Sequence, residues 1–304
     1  MTDKKNSFKD SVILFIRKNW IGYAMQAPFA ILFIIFVIAP AVIAIGLSFT
    51  DYNMFQPANF VGLKNYELML VDDKVFWTAV KNTFVFAIIV GPVGYFMSFF
   101  VAWILNQLKM RNAFALAFYA PSITSGIAMS SVWLYFFSSD QYGLINNVLI
   151  NIGIIDDPIL WTQNPKTILP VIIIISVWMS MGTGFLVFLA GLQNVDKTLY
   201  EAGAIDGVKS RFQELKYITL PQMKPQLLFG AITAITNAFG AFDVAVAVSG
   251  LPSPSYAGHT IVAHLYDYAF IRFQMGYASA VATVLFIITF FVGRIVTRAL
   301  SEND

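Results

Sequence analysis

Six stretches of this chain are long, apolar and nearly free of Asp, Glu, Lys and Arg, and nothing else in the sequence constrains the fold as much. They cover residues 24–49, 83–108, 113–139, 167–195, 225–248 (with Asp243 as the one acid inside) and 273–293. A helix rising about 1.5 Å per residue needs about 20 mostly apolar residues to cross the hydrocarbon core. The sequence therefore predicts an all-α membrane protein with six transmembrane helices, some shorter than the stretches that contain them. A β-barrel would need alternating strands of about ten residues, and runs such as 31–38 and 171–177 are apolar without alternation. The first stretch is longer than the core of about 7–15 residues in a secretory signal. Apolar chain also continues past Pro40, so the stretch reads as a retained span.

Lysine and arginine set the orientation, because they accumulate on the cytoplasmic side. Only Lys64, Lys74, Lys81, Lys166 and Arg272 of the 19 basic residues fall on one side of the predicted spans. The others cluster in the amino-terminal segment, the 2–3 loop, the 4–5 loop and the tail. Both termini and the 4–5 loop are therefore expected in the cytoplasm. The resulting division is a cytoplasmic segment 1–23, a transmembrane domain 24–298 with a cytoplasmic loop at 193–224, and a tail 299–304. The outer loops hold Trp77 and Trp161, as interfacial anchors would be, and are punctuated by Gly and Pro. They read either as connectors or as a docking surface for an outside partner.

Composition removes several function classes. With 58% hydrophobic and 12% charged residues, the chain is not an ordinary soluble enzyme, a disordered protein or a nucleic-acid binder. It has no cysteine, which removes disulfides, thiolate metal sites and cysteine nucleophiles. Its two histidines, His259 and His264, are expected on the surface of an outer loop, and no metal site is expected. The phosphate-binding pattern Gly-x-x-x-x-Gly-Lys-[Ser/Thr] is absent, so the chain is not expected to hydrolyse ATP by that route, and no paired carboxylates, His cluster or activated Ser within the predicted spans points to an enzyme.

The 4–5 loop carries its own helix signals. Asp196 is a candidate N-cap, and Thr198 with Glu201 offers a competing capping box in another register. Gly207 supplies a helix stop, Ser210 with Gln213 a second capping box, and Pro221 and Pro225 an end. The predicted order is a short helix, a glycine turn and a second short helix. Leu199, Ala202 and Gly203 share one small-residue face of the first helix. That face suits close approach by another protein surface, or a helix resting on the membrane.

At these residues the chain resembles a known family. Glu201, Ala202, Gly203, Asp206 and Gly207, followed by Ile218-Thr-Leu-Pro221, resemble the "EAA" coupling motif of ABC importer permeases of the maltose type. Ten residues separate Gly207 from Ile218 where the usual spacing is nine, so a one-residue adjustment is expected in the second loop helix. Pro121 with Trp133, the run Gly143 to Asn146, the run Phe239 to Asp243 and the run Gly276 to Ala280 also resemble the family. The 5–6 loop has Gly250-Leu-Pro252 where sugar permeases often have Gly-Gly-Pro.

The resemblance implies the type I ABC importer permease fold with both termini cytoplasmic, and a subunit of a larger machine. The expected partners are a second homologous permease, an ATP-binding cassette ATPase dimer and an extracytoplasmic solute-binding protein. No cofactor is expected on this chain; ATP and Mg belong to the ATPase. The implied ATPase-coupling residues are Glu201, Ala202, Gly203, Asp206, Gly207, Leu220 and Pro221. The implied activity is uptake of a sugar or oligosaccharide by alternating access. An ABC permease for a non-sugar solute is the second reading. A self-sufficient secondary transporter is the third; it usually needs midplane carboxylates and repeats, and neither is evident.

Polar groups inside spans are the candidates for a sugar site. Ser176, Ser180 and Thr183 fall within an arc of roughly 60° if the fourth span is one regular helix. Thr233, Thr236, Asn237, Gly240 and Asp243 fall within roughly 120° on the fifth. The resemblance implies that the same two helices line the sugar path, with Phe239 and Phe242 as stacking surfaces. Small polar residues also pack membrane helices together, so both readings stay open. Trp178 is expected to face lipid or a partner, and Gly91-Pro-Val-Gly94 to bend the second span.

Overall fold

The computed structural model describes residues 3–108, 111–124 and 126–301. Their helices are α1 (Asp3–Phe33), α2 (Ala39–Leu47), α3 (Lys64–Glu67), α4 (Lys74–Asn106), α5 (Arg111–Ile123), α6 (Gly126–Phe136), α7 (Leu144–Asn151) and α8 (Ile168–Met179). They continue as α9 (Thr183–Asn194), α10 (Lys197–Ile205), α11 (Arg211–Glu214), α12 (Leu220–Gln222), α13 (Lys224–Phe239), α14 (Asp243–Ser249), α15 (Ile261–Tyr266) and α16 (Met275–Ser301). Among the described residues there is no strand, only an isolated bridge between Thr50 and Phe60.

Five helical stretches are long and apolar enough to cross a membrane: Lys18–Leu47, Lys74–Asn106, Ile168–Asn194, Lys224–Ser249 and Met275–Ser301. The third apolar run of the sequence is instead two shorter helices, α5 and α6, of 13 and 11 residues. At about 1.5 Å per residue neither crosses alone. The fourth and fifth runs are also interrupted, between α8 and α9 and between α13 and α14. By contrast, α4 runs as one helix through Gly91 and Pro92.

Two hydrophobic cores stack along α4. One joins Phe86 and Val90 of α4 to Phe137, to Ile168, Val171, Ile172 and Ile175 of α8, and to Ala245 and Val248 of α14. The other joins Ala102 and Leu105 of α4 to Ala115 of α5, to Phe185, Phe188, Leu189 and Leu192 of α9, and to Met223. The second core lies towards the 193–224 loop, the first at the opposite end. The span formed by α1 and α2 contributes no buried residue to its most apolar window and packs on α16 through α2.

The two histidines correct the sequence reading. Both His259 and His264 are 1% exposed. Residues 261–271 fold back as an apolar helix against α4 and α16 instead of looping over the surface. There His264 Nε2 lies 3.2 Å from Asp73 Oδ2, and the same oxygen accepts the hydroxyls of Tyr277 at 2.7 Å and Tyr268 at 3.1 Å. Asp73 also caps α4 by accepting the Phe76 N–H at 2.9 Å. Burial alone would raise the Asp73 carboxyl, but the hydrogen bonds from His264, Tyr277 and the Phe76 N–H hold it well below its ordinary value. Asn82 adds a clamp, donating to the carbonyls of Tyr256 and His259 at 2.9 and 3.0 Å.

Trp178 is a second correction. It is half-buried, with its ring edge-to-face on Trp133 at 5.2 Å, so it joins α8 to α6 and does not point away from the bundle.

Candidate functional site: the 193–224 loop and a polar cavity

The loop is built as its capping residues dictate. Asp196 opens α10 by accepting the Thr198 N–H at 2.9 Å, which settles the competition with Thr198 in favour of Asp196. At the other end Gly207 takes φ +91°, a conformation that costs glycine little. Val208 N–H bonds the Gly203 carbonyl at 2.9 Å and Gly207 N–H the Ala204 carbonyl at 3.3 Å, forming a Schellman stop. Ser210 and Gln213 form the reciprocal capping box of α11. Between α11 and α12 the chain makes one π-helical turn, Leu215–Thr219. A π-turn takes up one extra residue inside a helix. It lies in the second loop helix, where the extra residue of spacing predicted an adjustment.

These caps orient two faces of α10. Tyr200 and Gly203 face the rest of the loop: the Tyr200 hydroxyl is 3.0 Å from the Thr219 hydroxyl. A Cβ placed on Gly203 would lie 2.7 Å from Ile218 Cδ1. Glu201, Ala202, Ile205 and Asp206 face outward, and Ile205 is 88% exposed. Gly203 is therefore small for the sake of its own loop, and Ala202 is the small residue on the free face. Leu220 and Pro221 lie where the loop enters α12.

Where α8 meets α9 and α13 meets α14, a cavity of about 400 Å³ opens beside α4 and α5. Ser176, Ser180, Thr233, Asn237, Gly240 and Asp243 line it. Thr236 is not in its wall; its hydroxyl donates to the Ile232 carbonyl at 2.9 Å. The side chain of Thr183 lies outside the described residues. The arcs drawn on regular helices do not hold past Ser180 and Gly240, because both helices are interrupted there. Ser180 spends its hydroxyl on the Val177 carbonyl at 2.7 Å, whereas Ser176 Oγ has no partner among the described residues. Phe242 lines the cavity. Phe239 does not: it is buried edge-to-face on Phe84, and so offers no stacking face. Tyr95, Ser98, Tyr119 and Ser122 line the cavity and were missed, since the sequence reading looked for polar groups on the fourth and fifth runs only. Their signal was proximity to Gly94 and Pro121. Among the described lining residues Asp243 is the one carboxylate, with no Lys, Arg or His beside it.

A multi-pass helical bundle with a polar cavity between broken helices and a capped, exposed loop helix at one end defines a membrane permease. The family of binding-protein-dependent transport system inner membrane components matches residues 83–302. The chain belongs to that family and is the membrane subunit of an ABC transporter, not its ATPase. It is 38% identical to the probable ABC transporter permease protein YesP of Bacillus subtilis over 90% of this chain and 88% of that protein. It is 32% identical to the arabinooligosaccharides transport system permease protein AraP of the same species, over 96% and 91% of the two chains. The lactose transport system permease protein LacF of Rhizobium radiobacter is 34% identical over 89% and 90%. In fold, the chain superposes on a bacterial alginate ABC transporter solved in complex with an alginate pentasaccharide-bound periplasmic protein. The TM-score is 0.77 at 23% identity, covering 94% of this chain and 95% of that one.

Proposed function

We propose that this chain forms half of the translocation path of an ATP-driven importer of sugars or oligosaccharides. In this reading α5 and α6 together make a broken sixth span, both termini and the 193–224 loop are cytoplasmic, and 1–23 and 299–304 flank the permease domain. A second, homologous permease closes the open side of the cavity. An ATPase dimer receives Glu201, Ala202, Ile205 and Asp206 on the free face of α10, while Gly203, Gly207, Leu220 and Pro221 hold that helix at its angle. A solute-binding protein delivers substrate at the opposite end. ATP and Mg act at the ATPase, and no cofactor is assigned to this chain.

The observation that carries this reading is the cavity itself. Its wall alternates hydroxyl and amide groups with aromatic surface, the combination that a sugar ring needs. Names of the relatives point the same way, to arabinooligosaccharides and lactose. Substrate groups would be met by Ser176, Ser180, Thr183, Thr233, Asn237, Gly240 and Asp243, while Thr236, outside the wall, is left to helix packing. A gentle pull-down of the tagged chain from membranes tests it. A second permease and two ATPase copies per chain, with ATPase activity raised by one sugar-loaded binding protein, are expected. Recovery of this chain alone would overturn the importer reading.

A further inference from the structure

The interruptions in the helices are not scattered. The gaps between α8 and α9 and between α13 and α14 both border the cavity, through Ser180, Gly182, Gly240 and Phe242, and α5 reaches it at Ser122, near its end. On α4, which is unbroken, Gly91 and Gly94 flank Pro92 and line the same cavity. Proline there removes a backbone hydrogen bond and softens the helix.

Contacts at this level form a ring. A Cβ on Gly94 would collide with Ser180 Oγ, and one on Gly182 would lie 2.9 Å from Ser122 Cβ. A Cβ on Gly126 would lie 3.3 Å from Asp243 Cβ, and one on Gly91 3.8 Å from Ala238 Cβ. At these points the spans approach one another through glycine, while the buried cluster of Ala87, Ala238 and Phe239 with Leu285 and Ile288 keeps α4, α13 and α16 joined at the same level. The two hydrophobic cores lie on either side of the ring. Cores are close-packed and move as units, whereas a helix gap absorbs a change in φ and ψ cheaply. Broken backbone is also costly in lipid unless it lines a cavity, so gaps at one level are not incidental.

We propose that this ring is a hinge within the subunit, about which the half carrying the 193–224 loop tilts against the other half and reshapes the cavity. The proposal rests on the reading that the loop is moved by an ATPase. Tilting would open the gaps at Gly182 and Gly240 without breaching either core, so loop motion reaches the substrate groups directly. A subunit that turned as one rigid body would leave every internal distance unchanged.

That difference is measurable, because the chain has no native cysteine. Spin labels are placed on N151C, in α7, and K209C, in the loop, within the complex assembled with its second permease and ATPase in lipid discs. A control pair, N151C with K166C, reports within the far half. A third pair, with one label on each permease, reports movement between subunits. Pulsed dipolar distances are recorded with and without a non-hydrolysable ATP analogue. The hinge predicts a shift for the first pair and none for the control. A between-subunit shift with the first pair unchanged would overturn the hinge and leave the coupling reading intact. Loss of every ATP response would remove the coupling reading and the hinge with it. If the first pair blocks assembly, Q163C with Q222C makes the same comparison.

Discussion

The hydroxyls of Tyr200 and Thr219 lie 3.0 Å apart and join the two halves of the loop motif. Tyr200 stands beside Glu201 on α10, and Thr219 lies inside the Ile218–Pro221 run. Thr219 is buried and also donates to the Glu214 carbonyl at 3.2 Å. The angle of α10 is thus fixed by a part of the chain that enters α12 and then α13. On the coupling reading proposed above, a push on α10 would be carried into the helix that lines the cavity.

Removing that bond should loosen the transfer without unfolding the protein. A hydrogen bond of this kind contributes about 1 kcal/mol. For Y200F we expect normal insertion and assembly, with transport reduced several-fold per ATP hydrolysed. The ratio of uptake to hydrolysis in proteoliposomes measures this. An unchanged ratio would show that the bond is only structural.

Gly203 gives a graded test of the same packing. Its neighbour is the flexible end of Ile218, so a single methyl can be accommodated by a small shift. Accordingly G203A should retain most uptake. A branched residue has no such room, and G203I should displace α10 and abolish uptake while the chain still reaches the membrane. Equal activity of the two variants would place Ile218 elsewhere.

Glu201 and Ile205 share the free face, one as a charge and the other as an apolar knob. E201A and I205D should each release the ATPase, lowering its recovery in pull-downs at least several-fold. Their effect on thermal stability of the isolated chain should be negligible, because both side chains are exposed.

Much of this loop was legible in the sequence. Caps act within three or four residues, so Asp196, Gly207 and the Ser210–Gln213 box could be read directly. The cavity was legible only in part. Ser176, Thr233, Asn237 and Asp243 were found from their polarity inside apolar runs, but the helix gaps were not, and the regular helix assumed for the fifth run put Thr236 in a wall it does not line. The histidines failed for a related reason. A polar residue in a segment between spans reads as surface, and only the tertiary fold, which buries both rings and pairs His264 with Asp73, shows otherwise.

Asn237 faces the cavity from α13, and Asp243 faces it from the start of α14. Replacing the amide in N237L removes hydrogen-bonding groups but keeps a similar volume. We expect substrate uptake to fall about 10-fold, the effect of losing roughly 1.4 kcal/mol of binding, with complex assembly unchanged. Half-maximal substrate concentration in an uptake assay is the measurement. Parental kinetics would assign Asn237 to helix packing.

The buried histidines predict how stability depends on pH. Burial, reinforced by the neighbouring His264, depresses His259 from its ordinary 6.5 to about 4. The groups around it are His264, Asp73, Asp267, Arg272 and Tyr256, and both of its ring nitrogens lack a hydrogen-bond partner among the described residues. Between these pH values the unfolded chain binds a proton that the folded chain refuses, so stability rises with pH across the window and is lost as pH falls from about 6.5 towards 4. Asp73 has its own, lower window, since a depressed carboxyl loses its contribution only as pH drops below the ordinary carboxylate value. We therefore expect the thermal midpoint of the detergent-solubilised chain to decline between pH 6.5 and 4.5, and H259F, which cannot take up a proton, to flatten that decline. A pH profile identical in the two proteins would show that the docked 261–271 segment is not what titrates.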